Sequence, residues 1–183
     1  GGYAWEPQFQ MIINNEHPVD GEIVFKTLAF SGDLFPGHSC CVIGVRDAYA
    51  TSHPQETVNF LAAYIEAVGF INDAVKHPLG EDYALMVEIL KKNFEGLSDD
   101  DIQGALKNVV YAFSDDNTTA SLDNLIIELA GIVDNLESMG VTSNKVTDLG
   151  FKDTMDFAQQ FIDDSYLKKA VDGETVATKA VIR

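Results

Sequence analysis

The sequence predicts a helix-rich α/β fold whose sheet is left incomplete by the residues present. Three observations carry this expectation. From Pro54 onward, apolar residues recur at helical spacing behind a series of start signals. Before that point, two runs rich in β-branched and aromatic residues, 23–30 and 40–45, flank the turn-forming Ser31-Gly32-Asp33-Leu34-Phe35-Pro36-Gly37. The second run, with Cys41, Val42, Ile43 and Val45, reads as a strand buried on both faces. Such a strand needs neighbours, and no other part of the chain supplies them.

The helical part divides at its own punctuation. Ser52 is placed as the cap of a helix whose stripe is Val58, Leu61, Ala62, Ile65, Val68, Ile71 and Val75. His77-Pro78 and Gly80 end it, because the residue before a proline avoids the helical region. A second helix over 81–94 turns Tyr83, Val87, Leu90 and Phe94 inward and closes at Gly96. Ser98 followed by Asp99, Asp100 and Asp101 opens a third: the hydroxyl meets free N–H groups and the carboxylates face the positive end of the helix dipole. Ile102, Leu106, Val109, Val110 and Phe113 follow on its apolar side. After a polar loop at 114–119, Ser121 caps the helix with the strongest stripe, Leu122, Leu125, Ile126, Leu129, Ile132, Val133, Leu136 and Met139, which Gly140 stops. Two shorter helices are expected at 153–162 and 165–171, and the tail 173–183 has no evident partner.

The 183 residues are 46% hydrophobic and 22% charged, enough for a core-bearing domain. Acidic residues outnumber basic ones 29 to 12, and the resulting charge of −17 opposes nucleic acid and anionic lipid alike. Net charge does not decide ligand charge, since backbone N–H groups at a helix start still hold a small anion. No apolar run approaches the roughly 20 residues that span a bilayer. Gly1-Gly2-Tyr3-Ala4-Trp5 lacks the basic and apolar regions of a signal peptide, so the expectation is a cytosolic protein or a missing beginning.

Few residues point to chemistry. Asp99, Asp100, Asp101, Gln103 and Gly104 look like half a calcium loop, but the position that requires a bidentate Glu holds Val110, which favours helix capping. His17, His38, His53 and His77 have no metal-ligand spacing and are expected at the surface. His38-Ser39-Cys40-Cys41 pairs an imidazole with thiols, yet cysteines opening an apolar strand more often serve as small buried hydrophobes. Adjacent cysteines on an extended segment point to opposite faces, so a disulfide between them strains the backbone. Neither a glycine-rich phosphate loop nor a Gly-x-Ser-x-Gly elbow occurs. Trp5-Glu6-Pro7 places the only tryptophan beside a carboxylate, an arrangement that lines small-molecule clefts, although an ordinary core tryptophan reads the same way.

Three segments in order carry a family resemblance: Gly2-Tyr3-Ala4-Trp5-Glu6-Pro7, then Phe35-Pro36-Gly37-His38-Ser39-Cys40-Cys41-Val42-Ile43-Gly44-Val45-Arg46, then Asp163-Asp164-Ser165-Tyr166-Leu167-Lys168-Lys169-Ala170. Ser52-His53-Pro54-Gln55 and the aliphatic helix after it fit between them. Together they resemble the nitrate, sulfonate, taurine and thiamine-precursor binding proteins of ABC importers. The resemblance implies part of a two-lobed, type II periplasmic-binding-protein-like fold, with 1–35 ending the second lobe and hinge, 36–172 supplying a returning strand and helices of the first lobe, and 173–183 a tail. It implies an extracytoplasmic protein, a lipoprotein in some cases, that closes over a small anion, sulfonate-like or pyrimidine-like solute and delivers it to permease subunits. Its contact with the membrane would run only through that permease or through a lipid anchor outside this chain. Neither catalysis nor a cofactor is implied. Trp5, Glu6, Pro36, Gly37, His38 and Ser39 are then the ligand-facing residues. A helical sensor or interaction domain of the same fold is the alternative. A thiamine-pyrimidine synthase relative is a third, although His38-Ser39-Cys40-Cys41 has serine second and fewer cysteines than the motif of those enzymes.

Overall fold

The computed structural model of the chain describes residues 4–14, 26–113 and 121–173. Among them are nine α-helices, one 3-10 helix and no strand. In chain order the α-helices are α1 (Gln8–Asn14), α2 (Ser31–Leu34), α3 (Asp47–Ser52), α4 (Pro54–Lys76), α5 (Glu81–Asn93), α6 (Asp99–Asn108), α7 (Leu122–Ser138), α8 (Thr154–Phe161) and α9 (Ser165–Val171). The 3-10 helix, Val146–Leu149, lies between α7 and α8.

The expected α/β architecture, a two-lobed binding-protein fold with an incomplete sheet, is therefore overturned. The segment 40–45 runs without strand pairing, and its apolar residues face outward: Val42 is 67% exposed and Ile43 and Val45 are also exposed. The physical reason is the one that made the segment conspicuous. A strand forms only with a neighbour to complete its ladder, and none of the described residues provides one. Of the other expected strand, 23–25 lie outside the described residues and 26–30 carry no regular structure. The loop at 114–119 and the tail beyond 173 also lie outside them.

The chain forms two compact units. The first comprises 1–36 and 67–111, where α6 packs against both α1 and α5. Ile102, 1% exposed, sits at its centre with Met86 and Leu97 also buried. The sequence had placed Tyr83, Val87, Leu90 and Phe94 on the inner side of α5, but Met86 is its buried residue and Phe94 is exposed. Phe9 and Phe30 meet edge to face at 5.5 Å. Lys91 and Asp99 form an ion pair of 2.7 Å, which at such exposure contributes at most about 1 kcal/mol.

The second unit comprises 37–66 and 112–183 and is built on α7 packed against α8. Ser121 caps α7 as expected, accepting the Asn124 N–H, and Gly140 takes the left-handed conformation (φ +66°) that ends it. Thr154 Oγ1 donates to Asp134 Oδ1 at 2.8 Å, tying the start of α8 to α7. Phe151, Phe157 and Phe161 form an aromatic chain with centroid separations of 5.1 and 5.3 Å. The Val146 N–H donates to a Glu137 carboxylate oxygen at 2.7 Å, fixing the 3-10 helix to α7.

α4 contributes its first part to the second unit and the rest to the first. Its bounds match the sequence expectation, but Ser52 does not cap it. The Ser52 hydroxyl donates back to the carbonyls of Ala48 and Tyr49, closing α3, and proline opens α4 directly. By length and composition α4 is apolar enough to cross a bilayer. A search for uninterrupted apolar runs misses this because Glu56, Glu66 and Asp73 punctuate it.

Ala158 is 0% exposed where α8 meets α7. Replacing it with leucine overfills that contact, and Ala158→Leu is expected to destabilise the second unit by about 1–3 kcal/mol. Urea unfolding followed by circular dichroism measures this; an unchanged midpoint would show that α7 and α8 do not pack closely there.

Candidate functional site

Gln10 and Asn14 lie four residues apart on α1, and Glu6 sits in the turn just before it, where the Phe9 N–H donates to the Trp5 carbonyl at 2.8 Å. Gln10 and Asn14 therefore share one helix face. On α6, Asp101, Gly104 and Asn108 do the same at intervals of three and four. The two faces meet in antiparallel register. Asn14 Nδ2 donates to Asp101 Oδ1 at 2.8 Å and Asn108 Nδ2 donates to Glu6 Oε1 at 2.7 Å. Between these pairs, Gln10 lies over Gly104 so closely that a Cβ built there would stand 2.6 Å from the Gln10 Cδ.

Gln10 is buried, and its Nε2 donates to the same Glu6 Oε1 at 2.9 Å. One carboxylate oxygen of Glu6 thus accepts two hydrogen bonds. The other, Oε2, is shielded from solvent and has no hydrogen-bond partner among the described residues. An unmatched buried acceptor of this kind costs about 1–3 kcal/mol and offers a place for a donor. Trp5, the neighbouring residue, is 72% exposed and presents its indole to solvent rather than to the core.

At the other end of the seam, Asp101 closes a capping box. Its Oδ2 accepts from the Ser98 N–H (2.9 Å) and hydroxyl (2.6 Å), while its own N–H donates to Ser98 Oγ at 3.1 Å. The capping reading of the acidic run therefore holds, with Asp99 engaged by Lys91. Burial alone pushes the Asp101 carboxyl up, but the hydrogen bonds from the Ser98 hydroxyl, the Ser98 N–H and Asn14 outweigh it and hold the group below the ordinary aspartate range.

The remaining ligand-facing candidates lie elsewhere. Pro36 and Gly37 form an exposed turn after α2, with Gly37 in the left-handed region at φ +78°. His38 is half-buried and Ser39 exposed. The Ser39 N–H donates to both carboxylate oxygens of Glu128, on α7, at 3.0 and 3.2 Å. Trp5, Glu6 and Pro36 belong to the first unit, and Gly37, His38 and Ser39 to the second. His53 is exposed and stacks on Tyr49 at 4.6 Å, His77 is exposed, and His17 lies outside the described residues. Cys40 and Cys41 are both exposed, not buried hydrophobes. A separate open groove of about 370 Å³ is lined by Tyr83, Ala84, Val87, Asp99, Asp100 and Gln103.

The sequence reading singled out Glu6 but missed Gln10, Asn14 and Asn108. The only local signal was the one-turn spacing of Gln10 and Asn14 and of Gly104 and Asn108. No family model, curated protein or solved structure matches the chain.

Two outcomes test this geometry. A carboxylate held below its unfolded-state value stabilises the fold above that value, and the contribution is lost as pH falls through the folded value. Stability should therefore decline on acidification below about pH 4, and Asp101→Asn should flatten that decline when unfolding midpoints are compared across pH. Gly104→Ala improves helix propensity by up to about 1 kcal/mol but drives a methyl group into Gln10. We expect net destabilisation of about 1–3 kcal/mol in denaturant unfolding, and a net gain would mean that α1 does not rest on Gly104.

Proposed function

We propose that this chain is the extracytoplasmic solute-binding component of an ABC importer, and that its solute is a nitrogen-rich, pyrimidine-like molecule rather than a small anion. The observation that carries the reading is the shielded Glu6 Oε2, which has no donor among the described residues. An amino group or ring N–H of a heterocycle satisfies it, whereas nitrate or a sulfonate brings more acceptors to a carboxylate that already repels them. The exposed Trp5 indole next to it offers a face for an aromatic ring. The three ordered motifs that resemble importer binding proteins support the transport role, in which the bound solute passes to permease subunits. Binding and release suffice for that role, and no covalent step is required.

Thermal unfolding against an aminopyrimidine, nitrate and taurine tests the reading. The aminopyrimidine at 100 times its dissociation constant should add about 2.7 kcal/mol of stability. Glu6→Gln should weaken its binding roughly tenfold or more, since hydrogen bonds to a charged group contribute about 1.5–3 kcal/mol. Tighter binding of nitrate or taurine, or unchanged affinity in Glu6→Gln, would sink it.

A second reading, a helical sensor or interaction domain without a permease, is favoured by the absence of strands among the described residues and by the strongly exposed Leu28, Leu79 and Val110. It expects no response to any of the three solutes.

A further inference from the structure

We propose that Cys40 and Cys41 form a reversible oxidative modification site, closing a disulfide with each other when a low-molecular-weight disulfide such as oxidised glutathione reaches them. The site is independent of the Glu6 seam. Both thiols are exposed, and their sulfurs already lie 3.9 Å apart, with the Cys41 thiol directed at the Cys40 sulfur. Bond formation draws them to about 2.05 Å. The backbone that must yield is available: residues 38–46 have no regular secondary structure, between the Ser39–Glu128 hydrogen bond and the start of α3.

The chemistry balances as two thiol–disulfide exchanges. One cysteine thiolate attacks a sulfur of the small disulfide, forming a mixed disulfide and expelling one small thiolate. The neighbouring thiolate then attacks the protein sulfur of that mixed disulfide, forming the Cys40–Cys41 bond and expelling the second small thiol. The pair loses two electrons and two protons, and the small disulfide gains them as two thiols. The second step is intramolecular, so the mixed disulfide is short-lived.

Reversibility follows from geometry. Adjacent α-carbons stand about 3.8 Å apart across a trans peptide, inside the minimum of about 4.4 Å at which disulfides are usually found. The ring is strained, and strained, exposed disulfides are the readily reduced ones. Burial pushes the Cys40 thiol up, and the Cys41 thiol beside it adds to the shift. Oxidation should accordingly accelerate as pH rises.

Intact-mass spectrometry of the whole chain after incubation with oxidised glutathione tests the proposal. The wild type should lose two hydrogens and retain no glutathione, and mild reductant should restore it. Cys40→Ser and Cys41→Ser should each stop at the mixed disulfide and retain one glutathione. Two retained glutathiones on the wild type, disulfide-linked dimers, or a wild type that stays reduced where the single variants are modified would each overturn it.

Discussion

The antiparallel polar seam between α1 and α6 is the constraint on which the first unit depends. It joins amides and carboxylates at three successive levels, Asn14 with Asp101, Gln10 over Gly104, and Glu6 with Asn108, and of these side chains Gln10 and Asp101 are buried. Burying such groups is tolerable only when each finds a partner. The register is consequently narrow: sliding one helix along the other by a single residue would misalign all three levels and set a side chain against the Gln10 carboxamide where Gly104 now offers none. The seam is also continuous with the α6 cap, because Asp101 serves Ser98 and Asn14 together. Cap formation and helix docking thus share the Asp101 carboxylate, and networks of this kind respond as a unit.

What could be read from the sequence was local. Ser98 and Ser121 announce their helices because a cap requires only the hydroxyl and the N–H groups of the next turn. Gly140 announces a stop because its left-handed backbone suits glycine. The expected helices at 153–162 and 165–171 appear as Thr154–Phe161 and Ser165–Val171. Ser52 is the instructive local miss. A serine before a helix reads as a cap, but the same hydroxyl can close the preceding turn, and here it does so because α3 ends on it.

The seam was illegible for a different reason. Its partners are 87 and 102 positions apart in the chain, and α1 is too short to announce itself by apolar periodicity. Gln10 looks like a surface residue until α6 is laid over it. The sheet failed in the opposite way. The composition of 40–45 is that of a buried strand, but among the described residues the segment is neither paired nor buried. Strand formation is a property of a pair, and the described residues offer this segment the Glu128 carboxylate at Ser39, not a ladder. Its apolar side chains stay exposed in consequence.

That contrast bears on the selectivity expected under the proposed solute-binding role. The chain carries a large negative charge, yet screening over about 8 Å at physiological salt makes the distant charges weak discriminators between solutes. Local groups decide. Near Glu6 Oε2 the carboxylate is already engaged on its other oxygen by two amides, which hold it in place. On the proposed reading, a solute that reached this shielded oxygen would exchange its own hydration for one strong acceptor and the exposed face of Trp5. An N–H donor gains from that exchange because a charge-assisted hydrogen bond replaces one to water, while an anion loses hydration and gains repulsion. On the same reading, discrimination would come mainly from what the wrong solute leaves unpaired, a larger penalty than the gain from any single correct contact.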